Sequence, residues 1–459
     1  MKRLSLQKNM KISISEGVFA QIFTSIATPG SIFITKMAQM LGATSLQFSI
    51  LSAIGRLSDV FQLFGIAIAT KQNTLKKPVL FLSGIGRGLA FFFGFLPFVV
   101  RPQHALWAFI LLFFLSVAVQ SMSNNVWLAW VSDIFPHRIR GRFFATRSLY
   151  LLIAGLITGY CVAFFIDLYD THPGTLASAL FSFIGTRGIF TPESLQYCFL
   201  IIFIIAALIG LWGLFVLRKQ DERPRCIAHA SFTQQLGDAF SDKNFRNLLI
   251  YGAWWMLAVG VGAPYWQPFM LQTLKISVLT IQIYGTISVL GSVLALRYWG
   301  KFIDRFGNKS AMHCAVILGS INPLIWVCIT PDTYWPIFIE AFTSGVMWAG
   351  ANVIATNFVL SVAPPEKKQM YSAIFGAVSS LSIMSTMLLS GFIMPPPLKI
   401  GSLSLTSYQV LFALTGLLRF TTHIPLSRVK EPGRKPFKDA LSFLFDAVVR
   451  RVRLLNQPK

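Results

Sequence analysis

Four ionisable residues interrupt long apolar runs: Arg56, Asp59, Arg87 and Glu340, with Arg419 as a fifth. A charge in apolar surroundings costs free energy unless it is paired or used. Glu340 stands alone in its run, and a lone carboxylate there is the kind of group that exchanges protons in a transport cycle. A wetted carboxylate near the end of the run is the structural alternative. Arg56 and Asp59 are three residues apart, so a helix places them on one face. They form either a proton or substrate site or a structural pair. Arg87, in the stretch GIGRG, can bind an anionic group, pair with Asp59 or pack between helices. Arg419, near the end of its run, can extend its head toward water.

Uncharged polar groups add a second set. Gln120, Ser123, Asn124 and Asn125 cluster in one run, and Trp348, Asn352 and Asn357 in another. The stretch YGAWWMLAVGVGAPYWQPF holds Trp254, Trp255 and Gln267, and its Pro264 and Pro268 can break a helix. Ring faces beside polar edges suit amphipathic or ring-bearing solutes. Tyr265 and Trp266 also fit an interfacial aromatic belt.

The elements that carry these residues are apolar blocks of about 20 residues, each long enough to cross a bilayer core. The chain is 54% hydrophobic and 12% charged, far below the charge of a soluble domain. The expected fold is therefore an all-α polytopic membrane protein. The blocks predict twelve transmembrane helices at 14–36, 45–69, 78–100, 105–132, 143–167, 195–218, 245–271, 278–299, 310–330, 335–360, 370–394 and 405–426. The net charge of +23 suggests nucleic acid until its placement is examined. With the N-terminus in the cytoplasm, 32 Lys and Arg fall on cytoplasmic segments, five outside and three within helices. That asymmetry is the positive-inside pattern. It puts both termini in the cytoplasm, suits an anionic inner leaflet and argues against nucleic acid.

The chain reads as two six-helix halves, 1–218 and 245–426, joined by a polar linker at 219–244 and followed by a basic tail at 427–459. SNNVWLAWVSDIFPHRIRGRFFA aligns with GANVIATNFVLSVAPPEKKQMYSA, so Asn124 meets Asn352 and Pro136 meets Pro364. Gly300 aligns with Gly65, while Asp304 falls on Ala69 and Arg305 on Thr70. Weak similarity between halves marks parallel repeats in secondary transporters.

The loop WGKFIDRFGNKS carries Gly300, Asp304, Arg305, Gly307 and Lys309 between two apolar runs. It resembles the Gly-x-x-x-Asp-Arg-x-Gly-x-Lys/Arg loop of the major facilitator superfamily. The segment SDIFPHRIRGRFFATR, with Arg140 and Gly141, is similar to that family's Pro-x-x-x-Arg-Gly segment. LGATSLQFSILSAI is similar to the family's approach to its second helix. The resemblance covers about 15–425. It implies that Asp304 faces the start of the eleventh helix, near Met370, as a cytoplasmic latch. A helix N-terminus favours an anion there. Gly300 is expected to admit a neighbouring backbone.

The drug–proton antiporter pattern of an arginine in the fourth helix and a proline in the fifth is missing, as is the peptide transporters' ExxER; residues 16–20 read EGVFA. No Walker lysine motif, GxSxG or metal-ligand cluster stands out, so no enzyme activity and no cofactor is expected. The cysteines are Cys161, Cys198, Cys226, Cys314 and Cys328, too scattered for a disulfide or zinc framework. The tail residues Phe437, Leu441, Leu444, Phe445, Val448, Val452 and Leu455 fall at helical spacing, with Arg450, Arg451 and Arg453 near the end. They predict an amphipathic helix on the inner leaflet or against a partner. The expected function is alternating-access transport of a small solute, driven in the first instance by protons. The protein is expected to act as a monomer in a bacterial inner membrane. A transport-inactive receptor or assembly factor of the same fold is the alternative.

Overall fold

The computed structural model describes residues 5–72, 74–169, 194–222, 240–364, 368–401, 403–431 and 436–443. The chain begins with α1 Leu6–Ala27, α2 Ile32–Met40, α3 Ser45–Lys71, α4 Lys76–Phe91, α5 Pro102–Ile134, α6 His137–Tyr169 and α7 Leu195–Leu217. It continues with α8 Lys243–Gly262, α9 Val278–Phe306, α10 Asn308–Val327, α11 Pro336–Val362, α12 Lys368–Phe392, α13 Ser407–Phe420 and α14 His423–Arg428. A short antiparallel hairpin pairs Leu398–Ile400 with Leu403–Leu405. Among the described residues, eleven stretches are long and apolar enough to cross a membrane. The second of the twelve predicted helices corresponds to α3, which is 27 residues long and not among those eleven.

The chain divides into two compact units. Unit 1 is Met1–Ala230 with Pro264–Ile283, and unit 2 is Ser231–Ala263 with Tyr284–Lys459. Residues 264–283, assigned above to the second half, therefore cluster with unit 1. Polar contacts explain why. Thr35 Oγ1 donates to Gln267 Oε1 at 2.5 Å, and Gln267 Nε2 donates to Gly30 O at 2.9 Å. The Asp167 carboxylate accepts from Val278 N and Leu279 N, both at 2.8 Å, and so caps the start of α9. The proline pair acts as expected: α8 ends at Gly262, two residues before Pro264, and a five-residue π turn, Phe269–Thr273, follows Pro268.

Helix pairing repeats between the units. In unit 1, α4 packs on α5 and α7, and α1 on α6 and α7; in unit 2, α10 packs on α11 and α13, and α8 on α12 and α13. Close approach also repeats. A Cβ at Gly65 of α3 would collide with Met122 O of α5, and one at Gly291 of α9 with Phe342 O of α11. Ser292 Oγ donates to Gly345 O at 2.9 Å across that second contact. Gly300 has nothing within 4 Å of its Cβ direction, so the close contact expected there falls nine residues earlier, at Gly291.

The start of α4 and the start of α10 are built alike. Glu222 Oε1 accepts from Leu75 N and from Lys76 N, while Lys76 Nζ donates to Gln220 O at 2.8 Å. Glu431 accepts from Asn308 N at 2.9 Å and Lys309 N at 2.7 Å, while Lys309 Nζ donates to Ser427 O at 2.5 Å and Val429 O at 2.8 Å. In each unit a carboxylate after the last long helix satisfies bare N–H groups that a helix start leaves open. Below the Glu222 cap, Trp130, Ile134, Phe135, Phe143 and Leu217 form one buried cluster, with Phe135 and Phe143 stacked at 4.2 Å.

Candidate functional site

Unit 1 encloses a polar cavity of about 550 Å³. Its wall takes Glu16, Gly17 and Gln21 from α1, Ser58, Asp59 and Gln62 from α3, Arg87 from α4, Gln120, Asn124, Asn125 and Trp127 from α5, and Arg147 from α6. The charge in it is organised by Glu16, which is 3% exposed. Arg87 Nη2 donates to Glu16 Oε1 at 2.9 Å, and Arg87 Nη1 donates to Gly210 O at 2.6 Å. Arg147 Nη2 lies 3.7 Å from Glu16 Oε2, longer than a hydrogen bond. The Arg147 guanidinium carbon stands 4.5 Å from the centroid of Trp127, a cation–π distance. Arg147 Nε donates weakly to Ser13 O at 3.4 Å. Gly17 makes room for this head: a Cβ there would sit 2.8 Å from Arg147 Nε and Nη2.

Six of the residues singled out in the sequence line this cavity: Asp59, Arg87, Gln120, Ser123, Asn124 and Asn125. Asn125 Nδ2 donates to Gln62 O at 3.2 Å, and Gln62 Nε2 donates to Asp59 Oδ1 at 3.0 Å. Gln120 Nε2 is buried with no hydrogen-bond partner among the described residues. Arg56 does not join them. It is exposed, and no ion pair joins it to Asp59 among the described residues.

In unit 2, Glu340 is 4% exposed and accepts from Tyr284 Oη at 2.8 Å, so it is not the isolated carboxylate expected. Arg419 does not reach toward water. It is 4% exposed, its Nη1 donates to Gly319 O at 2.9 Å, and its guanidinium lies 5.7 Å from the Trp255 ring. Trp255 is buried and meets Trp348 edge-on at 6.3 Å. Trp254 points elsewhere: it is exposed, and its Nε1 donates to Thr421 Oγ1 at 2.8 Å. Gln267 is spent on Gly30 and Thr35 of unit 1 and does not line the unit 1 cavity. Asn352 is exposed and Asn357 half-buried on α11.

A family model for the Major Facilitator Superfamily matches residues 256–455. A mutant of the nucleoside transporter NupG superposes with a TM-score of 0.65 at 13% identity, covering 93% of this chain and 100% of that one. A D-xylose–proton symporter gives a TM-score of 0.65 at 13% identity, over 93% and 98% of the two chains. The xylose transporter XylE from E. coli, in an inward-open conformation, gives 0.63 at 12% identity, over 95% and 99%. The family model thus matches the second half of the chain, and the chain as a whole shares the fold of these transporters. No curated protein matches it by sequence.

The superfamily loop departs from expectation at its acid. Asp304 is exposed and makes no hydrogen bond or ion pair among the described residues. The helix start directly after this loop, that of α10, is held instead by Glu431. Gly307 adopts φ +84°, the left-handed conformation that lets α9 end and α10 begin one residue later. Lys309 is buried under the chain after α14. Arg305 lies over Phe443 of the tail at 4.3 Å. In the partner segment of the superfamily, Arg140 Nη2 donates to Ser132 O at 2.7 Å and Phe135 O at 3.2 Å, closing the end of α5, and Gly141 is exposed with open space beside it. The tail is described only to residue 443, where Phe437 packs 5.0 Å from His313; Leu444 onward, with Arg450, Arg451 and Arg453, lies outside the described residues, as does Cys226.

Glu16 and Arg147 were missed. Glu16 already lay inside the first predicted helix, and a carboxylate in an apolar helix was the available signal. Arg147 follows Arg138, Arg140 and Arg142 in sequence and so reads as one more cation of a basic cytoplasmic segment.

Proposed function

We propose that this protein is a secondary transporter of the major facilitator superfamily that moves a small solute by alternating access, with the unit 1 cavity as its substrate site. One observation carries the reading. A polar cavity of about 550 Å³, lined from six helices, holds two arginines and two carboxylates amid predominantly apolar helices. Groups so costly inside a bilayer are kept for a pathway or a site. Both termini lie in the cytoplasm, by the distribution of lysine and arginine. The cytoplasmic loop at Asp304 then acts as a latch in a state other than this one, meeting the start of α12 when the cytoplasmic side closes. Glu340, held by Tyr284, is the proton-coupling group of unit 2, with Asp59 as the second candidate.

The test is thermal stabilisation of the purified protein by a panel of sugars, nucleosides, amino acids, organic acids and lipophilic cations at two pH values. A solute at a hundred times its dissociation constant stabilises the folded state by about 2.7 kcal/mol. A stabilising solute whose effect is lost when the cavity is filled supports the reading. Stabilisation that survives a filled cavity contradicts it.

A further inference from the structure

We propose that the unit 1 cavity takes solutes bearing a carboxylate, which lands on Arg147 in exchange for Glu16. The proposal deepens the transporter reading and rests on it. The two arginines of the cavity are unlike each other. Arg87 is committed at both Nη atoms, with Nη2 on Glu16 Oε1 at 2.9 Å and Nη1 on Gly210 O at 2.6 Å, and only its buried Nε lacks a partner among the described residues. Arg147 is not. Its contact with Glu16 is 3.7 Å, its bond to Ser13 O is 3.4 Å, and Nη1 makes no hydrogen bond among the described residues. A guanidinium has five donors in a planar fork that matches a carboxylate edge-on. The Trp127 ring lies over the guanidinium, 4.5 Å from its carbon to the ring centroid. The head is thus oriented while its strongest interactions are unused, and it borders the cavity.

Glu16 shows which ligand fits. A carboxylate already sits between the two guanidinium groups, so the same group on a solute meets Arg147 with geometry the site accepts. When it does, Glu16 keeps its bond to Arg87 and loses only the longer contact. No buried charge is stranded, and the exchange is reversible. Gly17 sets the position of the fork, since any side chain there would meet Arg147 Nε and Nη2 at 2.8 Å. Asn124, Asn125, Gln21 and the unpartnered Gln120 Nε2 remain for the uncharged part of the solute.

The experiment is titration of the full-length protein in lipid nanodiscs with matched pairs of small carboxylates and their primary amides: lactate and lactamide, benzoate and benzamide, nicotinate and nicotinamide, glutamate and glutamine. The expected result is at least one pair in which the acid binds tenfold or more tightly than the amide. Arg147→Gln abolishes that preference and Arg147→Lys keeps part of it. Glu16→Gln, which removes the internal competitor, tightens acid binding several-fold. Melting curves confirm that each variant is folded, and Arg147→Lys serves if Arg147→Gln is not. A preference that survives in Arg147→Gln, or acid binding that weakens in Glu16→Gln, overturns the proposal. So does a panel in which neutral members bind as well as acids; if that binding is lost on filling the cavity at Asn124, the substrate-site reading stands and only the carboxylate fails. If no acid and no amide binds, the carboxylate proposal falls, and the broader solute panel then decides the substrate-site reading by itself.

Discussion

Arg87 donates to Gly210 O in unit 1 at 2.6 Å, and Arg419 donates to Gly319 O in unit 2 at 2.9 Å. The two contacts join equivalent helix pairs, α4 with α7 and α10 with α13, but the arginine has changed sides. In unit 1 it stands on the first helix of the pair, in unit 2 on the second. Each unit also buries a carboxylate, Glu16 bonded to Arg87 at 2.9 Å in unit 1 and Glu340 held by Tyr284 in unit 2. The repeat has kept an arginine–carbonyl tie while moving the residue that makes it.

Removing one partner of the Glu16–Arg87 pair leaves the other charge buried. Arg87→Ala is expected to cost about 3–5 kcal/mol of stability, and the double change Glu16→Gln with Arg87→Gln distinctly less. Melting temperatures of the three proteins in one detergent give the comparison. Equal losses would mean that the pair is not a coupled unit.

Glycines separate by contact. Gly65→Ala forces a Cβ against Met122 O, a backbone atom that cannot swing away, so α3 and α5 must part. A loss of about 1–3 kcal/mol is expected. Gly300→Ala meets nothing and replaces a poor helix former by a good one, so it is neutral or stabilises by up to about 1 kcal/mol. Paired melting curves check both.

The first-half twin of the superfamily loop lacks the acid, and the helix start behind it is nevertheless capped, by Glu222. Glu222→Gln and Glu431→Gln are each expected to lose about 0.5–2 kcal/mol. Asp304→Asn, at an exposed carboxylate with no bond, is expected to leave the melting temperature unchanged while slowing transport. A transport rate equal to wild type would remove the latch.

Glu340→Gln keeps the size of the side chain and its hydrogen bond to Tyr284 but removes the exchangeable proton. Solute counterflow is expected to persist while accumulation driven by a pH gradient falls to background. Accumulation at the wild-type level would show that Glu340 does not couple.

The helices were legible because a bilayer demands about 20 apolar residues in a row, and a charge such as Arg87 stands out against them. What Arg87 touches was not legible, since Glu16 is 71 residues away and Gly210 is 123. Arg147 was misread for a related reason. Its position between a basic segment and an apolar one fits a loop as well as a cavity, and only the packing of α1 against α6 chooses. Gly300 was misread because a motif glycine and a contact glycine look alike in sequence. Trp254 and Trp255 look alike in sequence, yet only Trp255 is buried, a difference that packing and not spacing decides; Gln267 lies past the break after Gly262, in the stretch that clusters with unit 1.

The most direct test is transport by sealed proteoliposomes after the cavity has been filled. Asn124→Trp projects a large side chain into the unit 1 cavity, and Leu111→Trp places the same ring on the exposed outer face of α5. For a solute that stabilises the wild-type protein, wild-type and Leu111→Trp vesicles are expected to transport at rates within about twofold, because surface substitutions away from special features perturb little. Asn124→Trp vesicles are expected to fall to the leak of empty liposomes while the protein keeps its melting temperature. Wild-type transport through folded Asn124→Trp would contradict the account.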